Sequence, residues 1–525
     1  MNRRHFIKNS LIGVSASIAL SPWSAFGQGP AILGSDKLRP QLKHGAASGD
    51  VDTTSAVLWS KTNQSAQMWV ELSTLPDFSK VETLKGGHAL QQTDYNAHTL
   101  VRRLLPNTRY FYRVHFQSLK DPKLRSERCS GQFKTAPTEA CDVRFCWSAD
   151  TAGQGFGIDP AHGGMLTFAS IRARKPDFFV NSGDLIYADN PMSSEVTLDD
   201  GSIWRNQLVE AKTRVAESTD DFRQNFYYNS QDDHLRALQA EVPMIQQWDD
   251  HEVVNNWYPQ EILDDDRYTL KDVKQLAHNA KTAFFNCNPI RPHDTDPGRI
   301  YRKISRGPLL DLFVIDLRSY RGPNTYNHQT SQSADTAFLG ADQLKWLKAE
   351  LKASKATWKI ICSDMPIGLV VAEWGKEIYE NGANGDDGAP LGRELELADL
   401  FHSIAREDIT NVHFITADVH YCASHYYNPA KASFKDFKPF WEFVSGPLHA
   451  GNFGPNPLDG TFGPEVKFTG IPEGMAPFTP PSAGLQFFGE MEIDGKTQAL
   501  TVRHFNRIGE EIWSKELQPE HPAKV

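Results

Sequence analysis

Asn181-Ser182-Gly183-Asp184-Leu185-Ile186-Tyr187 is the stretch on which the reading of this chain turns. Ahead of it, Asp177-Phe178-Phe179-Val180 is an apolar run short enough to be one buried strand. Gly183 permits a sharp turn, and Asp184 then stands at the C-terminal end of that strand. Ligands and reacting groups collect at such ends in open α/β sheets. Tyr187 can fold back toward the same point. A carboxylate and a phenol at this spacing suit a hard or oxidising cation such as calcium or ferric iron. A capping Asp after a strand accounts for Asp184 equally well, and the rest of the chain must decide.

Other apolar runs end the same way. Val143-Arg144-Phe145-Cys146-Trp147 leads to Ala149-Asp150, and Val242-Pro243-Met244-Ile245-Gln246 leads to Trp248-Asp249-Asp250-His251-Glu252. Val412-His413-Phe414-Ile415 leads to Ala417-Asp418-Val419-His420-Tyr421, and Ile360-Ile361-Cys362 leads more weakly to Asp364. The acids around His251 also suit a capped helix start. If these strands are neighbours, however, the carboxylates converge at one sheet edge, where unpaired charges are too costly to bury. Two cations roughly 3.5–4 Å apart would neutralise them, with Asp184 as the shared ligand, and would activate water and polarise a phosphoryl oxygen. His251 would then protonate or neutralise the departing alkoxide. The glycine-rich loop Thr151-Ala152-Gly153-Gln154-Gly155-Phe156-Gly157 lacks the Lys-Ser/Thr of a nucleotide P-loop.

Working outward, residues 1–28 read as a cleaved export signal. Arg3-Arg4-His5-Phe6-Ile7-Lys8 is a twin-arginine start, an apolar run covers 11–20, and Ala25-Phe26-Gly27 offers a cleavage site. The run falls short of the roughly 20 residues of a permanent membrane anchor. The expected partner is the twin-arginine translocase, and the expected location is the periplasm or outside the cell. Cleavage removes three cations and no acid, taking the formal charge from −10 to −13. That balance argues against a nucleic-acid-binding surface. It fits a carboxylate-rich cation site, as it would an acidic solvated surface.

Residues 38–137 read as a β-sandwich of fibronectin type III kind. Short β-rich runs such as Ser55-Ala56-Val57-Leu58-Trp59 and Tyr110-Phe111-Tyr112-Arg113-Val114 alternate with turns. Leu105-Pro106-Asn107-Thr108-Arg109-Tyr110 is similar to the turn into a tyrosine corner. From 141 to 517 strands alternate with helices, as in a sheet layered with helices. Leu344, Leu347 and Leu351 share one helical face, and a hairpin around Asp494-Gly495 closes the domain. Residues 190–300 read as an insertion bordering the cleft. In a second insertion over 370–395, Trp374, Tyr379, Asn381 and Asn384 either line a polar substrate site or are ordinary loop residues. Six cysteines without a C-x-x-C pair are too few for a disulfide framework. Cys129 and Cys141 flank the domain boundary and could pair after export.

The order Asp, Gly-Asp-x-x-Tyr, Trp-Asp-Asp-His-Glu and Asp-x-His resembles the alkaline phosphatase D (PhoD-like) metallophosphoesterases. So do the export signal, the stretch His44-Gly45-Ala46-Ala47-Ser48-Gly49-Asp50 and Asp316-Leu317-Arg318-Ser319-Tyr320-Arg321. The resemblance implies a calcineurin-like four-layer α/β/β/α domain behind the sandwich, and hydrolysis of phosphate mono- or diesters at alkaline pH. Calcium and ferric iron are the implied cofactors. By position, Asp184 would bridge the metals, and Tyr187 and His420 would serve iron. Asp250 and Asp418 would serve calcium, with Asp364 as a further ligand. His251 matches the family's active-site histidine, and Arg318 would hold phosphate. The best-known members carry a cysteine where this chain has Asp150. A carboxylate is harder than a thiolate, so this departure leaves the metals open. Two other readings stand beside the phosphatase: a phosphodiesterase acting on nucleotide, lipid or teichoic-type diesters, and a non-catalytic exported binding protein.

Overall fold

The computed structural model describes residues 38–373 and 376–521. The export signal and Trp374 lie outside the described residues. Seven strands come first: β1 (Ala46–Gly49), β2 (Ser55–Lys61), β3 (Ala66–Ser73), β4 (Glu82–Ala89), β5 (Asn96–Arg102), β6 (Arg109–Ser118) and β7 (Cys129–Lys134). Strands β4-β3-β6-β7 form one antiparallel sheet. It packs on β1, β2 and β5 through Met68, Val70, Leu58, Val101, Val114 and Phe116. The tyrosine corner is present, with Leu105 N donating to Tyr110 Oη at 2.9 Å.

The second unit opens with β8 (Val143–Ser148), α1 (Leu166–Ala173), β9 (Phe178–Ser182) and a small hairpin, β10 (Glu195–Thr197) and β11 (Ile203–Arg205). Then come α2 (Thr219–Asn229), α3 (Asp233–Glu241), β12 (Met244–Gln247), α4 (Val273–Cys287), β13 (Arg302–Ser305) and β14 (Leu310–Val314). They are followed by α5 (Ala341–Ala353), β15 (Trp358–Cys362), α6 (Glu394–Arg406) and β16 (Val412–Thr416). The last strands are β17 (Ala423–Tyr427), β18 (Phe440–Val444), β19 (Pro464–Thr469), β20 (Phe487–Ile493), β21 (Leu500–Asn506) and β22 (Glu511–Leu517).

Two sheets stack face to face. One runs β22-β21-β20-β8-β9-β12-β1-β2-β5 and the other β13-β14-β15-β16-β18-β17-β19. Their inner faces meet through Phe145, Trp147, Phe178, Val180 and Ile245 on one side, and Leu312, Val314, Ile360 and Ile415 on the other. Alternate residues point outward, as the period of two requires. Cys146, Phe179 and Met244 pack under α1 and α3, while Phe313, Ile361 and Phe414 pack under α5 and α6. The order of layers is α/β/β/α. Strands buried on both faces explain the continuous apolar runs of the sequence.

One feature departs from the sequence reading. Residues 190–300 are only in part an insertion, since α3 is the crossover helix between the parallel strands β9 and β12. The remainder, α2 and α4, packs around Trp248, Trp257 and Phe284 in a core of its own. The sandwich is joined to the second unit, because β1 pairs in parallel with β12 and so extends the larger sheet. Asp50, just after β1, binds Arg302 at 2.8 Å and accepts from Arg291 N at 2.8 Å. All six cysteines are free, Cys129 and Cys141 included. Among the described residues no helix is long and apolar enough to cross a membrane.

Candidate metal centre

Asp150, Asp184, Asp249, Asp364 and Asp418 each stand two residues beyond the end of a strand, β8, β9, β12, β15 and β16 in turn. All five strand ends open on the same edge of the stacked sheets, so a repeated local feature becomes a cluster. Asp150, Asp184, Asp418 and His420 have φ of 61°, 49°, 69° and 50°. Left-handed backbone at non-glycine residues is costly and gathers at functional sites. Gly183 is pressed against the next strand end. It has φ +110°, and a Cβ there would lie 2.4 Å from Cβ of Asp249.

Three sets of side chains bring their ligand atoms within 4.8 Å of one another: Asp150, Asp184 and His420; Asp184, Asp250 and His251; Asp249, Asp250 and Asp418. Asp184 and Asp250 each belong to two sets and link them into one chain. Tyr187 Oη lies 2.7 Å from His420 Nε2, while His420 Nδ1 is turned to Gly451 O at 2.5 Å. Tyr187 also stacks on His251, with ring centroids 4.2 Å apart. Asp184 accepts from His251 N at 3.2 Å, and Asp250 accepts from Asn256 N at 2.6 Å. Glu252 ties the loops together by accepting from Leu185 N at 2.5 Å and Asp249 N at 2.7 Å.

Burial and mutual repulsion govern the electrostatics of the cluster. Burial, and then the neighbouring carboxylates, pushes Asp150 and Asp184 well above the usual carboxylate range. The same causes raise Asp364 and Asp418. Against burial, which opposes it, Asp189 and Asp250 raise His251 to about 10. Burial lowers His420 to about 3. Both carboxylate oxygens of Asp150 and of Asp364, and Oδ2 of Asp249, have no hydrogen-bond partner. Buried acceptors without donors call for positive charge. Hard oxygen donors with one imidazole and one phenol fit cations of the calcium or ferric kind.

The profile of PhoD-like phosphatases matches residues 145–504, and the profile of the N-terminal domain of PhoD-like phosphatases matches residues 28–137. The chain belongs to the PhoD-like phosphatase family. It is 25% identical over 401 residues to alkaline phosphatase D of Bacillus subtilis (strain 168), across 72% of this chain and 64% of that protein. The alignment thus spans less than two thirds of that relative's length. A solved structure of PhoD shares the fold with a TM-score of 0.66 at 18% identity, covering 92% of this chain and 93% of that one. Purple acid phosphatase PPD1 from yellow lupin (Lupinus luteus) seeds follows with a TM-score of 0.55 at 14% identity, covering 92% and 74%. The calcineurin-like α/β/β/α architecture expected from the sequence is the one found.

Within this PhoD-like centre the structure brings together Asp150, Asp184, Tyr187, Asp250, His251, Asp418 and His420. Asp364 is fully buried nearby but joins none of the three sets. Arg318, expected from the resemblance to hold phosphate, lies at the Asp249–Asp250 side of the cluster. It is fully buried, with Nε on Asp249 at 2.6 Å and Nη2 on Glu380, and 3.9 Å from Asp250 and 4.0 Å from Asp418. Only Nη1 is without a partner. Its guanidinium thus lies among four carboxylates, Asp249, Asp250, Glu380 and Asp418. Cys146, four residues before Asp150, is buried under α1 and α3, away from the centre.

Two residues of the site escaped the sequence reading. Asp189 holds His251 Nδ1 at 2.7 Å and accepts from Asn255 N at 3.0 Å. Its place shortly after Tyr187 in the same loop was the available signal. Glu380 binds Arg318 and lies beside Asn256, whose reoriented amide donates to Glu380 at 2.8 Å and to Asp250 at 3.2 Å. Nothing in the polar segment over 370–395 sets Glu380 apart. Its neighbours Asn381 and Asn384 are buried and serve the loop itself, donating to Leu369 O and Asn327 O.

Proposed function

We propose that this protein is an exported, metal-dependent phosphoric ester hydrolase that releases phosphate from phosphomonoesters and accepts diesters. The observation that carries the reading is the buried, mutually linked acid cluster at the strand ends, with the orphaned oxygens of Asp150. Asp150, Asp184, Tyr187 and His420 would hold ferric iron, and Asp184, Asp250 and Asp418 would hold calcium. Cations held there would supply Lewis-acid charge at the phosphoryl group and lower the pKa of water. Asp249 and Arg318 keep the carboxylates oriented, since each fixes a neighbour of Asp250. Asp189 pins Nδ1 of His251, so Nε2 is the nitrogen left to meet the phosphate or to give its proton to the departing alkoxide. Tyr187, stacked on that ring, limits its rotation. The twin-arginine start supports export of the folded, metal-loaded chain to the periplasm or beyond.

The test is metal content after native export, with hydrolysis of p-nitrophenyl phosphate and its bis ester in parallel. Iron plus calcium, with turnover abolished by chelator and by Asp184→Ala, is expected. The ratio of the two rates ranks monoester against diester. Folded protein without metal and without turnover of either ester would overturn the reading in favour of a binding module.

A further inference from the structure

Lys212 is a buried amine that the site described so far does not use. It ends a single helical turn, Glu210–Lys212, and is only 2% exposed. Nζ donates to Tyr187 O at 2.9 Å and to Asn225 Oδ1, on α2, at 3.0 Å. The ring of Tyr228 lies 5.6 Å from it. Among the described residues no carboxylate forms an ion pair with this lysine. Lysine is almost never fully buried without a counter-ion, because the cost is high. Burial lowers its pKa to about 7, against the pull of Asp189. As ammonium or as amine it has hydrogens for both acceptors, so neither contact depends on its charge.

The first of those acceptors is the backbone of a residue at the centre. Tyr187 Oη lies 2.7 Å from His420 Nε2. The Tyr187 ring is walled by His251, with centroids 4.2 Å apart, and by Gly153, where a Cβ would meet ring atoms at 2.4 Å. These walls restrict the tilt of the ring. They leave open how far it slides in its own plane, and that reach is set by where the Tyr187 backbone stands. Lys212 grips the segment 187–192 at both ends, since Nζ holds Tyr187 O and its own carbonyl accepts from Met192 N at 2.6 Å. Between those ends, Ala188 N donates to His251 O at 2.9 Å, and Ala216 N donates to Ala188 O at 2.9 Å. Asp189, which holds His251 Nδ1 at 2.7 Å, lies in the same segment.

We propose that Lys212 is a positioning residue of the centre, fixing through the Tyr187 carbonyl how far the phenol oxygen reaches toward the ferric position. The proposal rests on the metal reading above and adds to it a residue that touches neither metal nor substrate. A metal site tolerates ligand distances within about 0.2 Å of the ideal. A misplacement of about 1 Å at a supporting residue can cost about 100-fold in rate. Lys212→Met keeps nearly the length of the side chain and leaves Tyr187 O without its donor.

The experiment compares wild type, Lys212→Met and Lys212→Gln after native export and metal loading. A phenolate on ferric iron absorbs visible light by charge transfer from oxygen to metal, so the spectrum reports the Tyr187 oxygen directly. In Lys212→Met that band is expected to shift and weaken at unchanged iron per chain, because Asp150, Asp184 and His420 remain. For p-nitrophenyl phosphate, kcat is expected to fall about tenfold with KM little changed. In metal-free protein, deuterium exchange at the Ala188 and Met192 amides is expected to quicken, a readout that needs no iron. Lys212→Gln keeps a donor on a shorter arm, covers the case in which Lys212→Met does not fold, and should move each readout the same way by less. A folded variant with the wild-type band, kcat and exchange would overturn the role of Lys212 alone. A wild type that takes up no iron and hydrolyses no ester would instead overturn the metal reading.

Discussion

Tyr187 Oη and His420 Nε2 lie 2.7 Å apart although 233 residues separate them in the chain. Each atom is the end of its side chain best suited to a cation, and in the metal-loaded protein both would turn to the same ion. Tyr187→Phe keeps the ring and its stack on His251 but removes the oxygen. Iron per chain, read by elemental analysis, is expected to fall, and ester hydrolysis to drop about 10- to 100-fold, the usual scale for a weakened metal shell. An unchanged iron content would remove Tyr187 from the centre.

Gly183 cannot be replaced cheaply. Its φ of +110° is closed to other residues, and a Cβ would meet Asp249 at 2.4 Å. Gly183→Ala is expected to cost about 2–4 kcal/mol from strain and overpacking together. It should also lower activity per folded molecule, because it moves Asp184 against Asp249. Denaturant midpoints and turnover on the same samples check both effects.

Asp150 gives a test by reversal. Its two oxygens have no donors and burial pushes it well above the usual carboxylate range, so in metal-free protein it is a buried acid without partners, a burden of about 1–3 kcal/mol. Metal-free Asp150→Asn is therefore expected to melt above metal-free wild type. Saturating calcium and iron stabilise whichever chain binds them better, and the order of melting temperatures should then reverse. Thermal scans before and after chelation show it.

His504 predicts the acid limb of stability. The ring is fully buried, bonded through Nε2 to Ser424 at 2.9 Å, and burial lowers it from 6.5 to about 3. The folded value lies below the unfolded one. Its contribution is therefore complete above about pH 6.5 and is lost as pH falls through about 3, at up to about 1.4 kcal/mol per unit. His504→Phe keeps the stack on Phe468 and should flatten the curve between those limits. Urea midpoints across pH 3–7 give the comparison.

Arg302 reports whether the sandwich is part of the fold. Its guanidinium binds Asp50 at 2.8 Å in a pair that is largely buried. Arg302→Ala leaves that carboxylate without its partner and is expected to cost about 3 kcal/mol. Activity per folded molecule should be retained, because Arg302 belongs to the joint with the sandwich and not to the acid cluster. Equilibrium unfolding paired with turnover tests this.

Local pattern carried much of this protein into view. Phe178-Phe179-Val180 and Val412-His413-Phe414-Ile415 declare buried strands because both faces must be apolar, and the acids after them declare a sheet edge with a purpose. The tyrosine-corner turn marked the sandwich in the same local way. These are properties of neighbours in sequence, which periodicity and turn chemistry encode directly. What the sequence could not supply is the order of strands in the sheets, and every unforeseen feature follows from that order. It joins β1 to β12 and makes α3 a crossover. It turns Arg318 onto Asp249 and Glu380 and sets Asp189 against His251. Such contacts unite residues tens to hundreds of positions apart, and their energy resides in packing and charge pairing that no local pattern records.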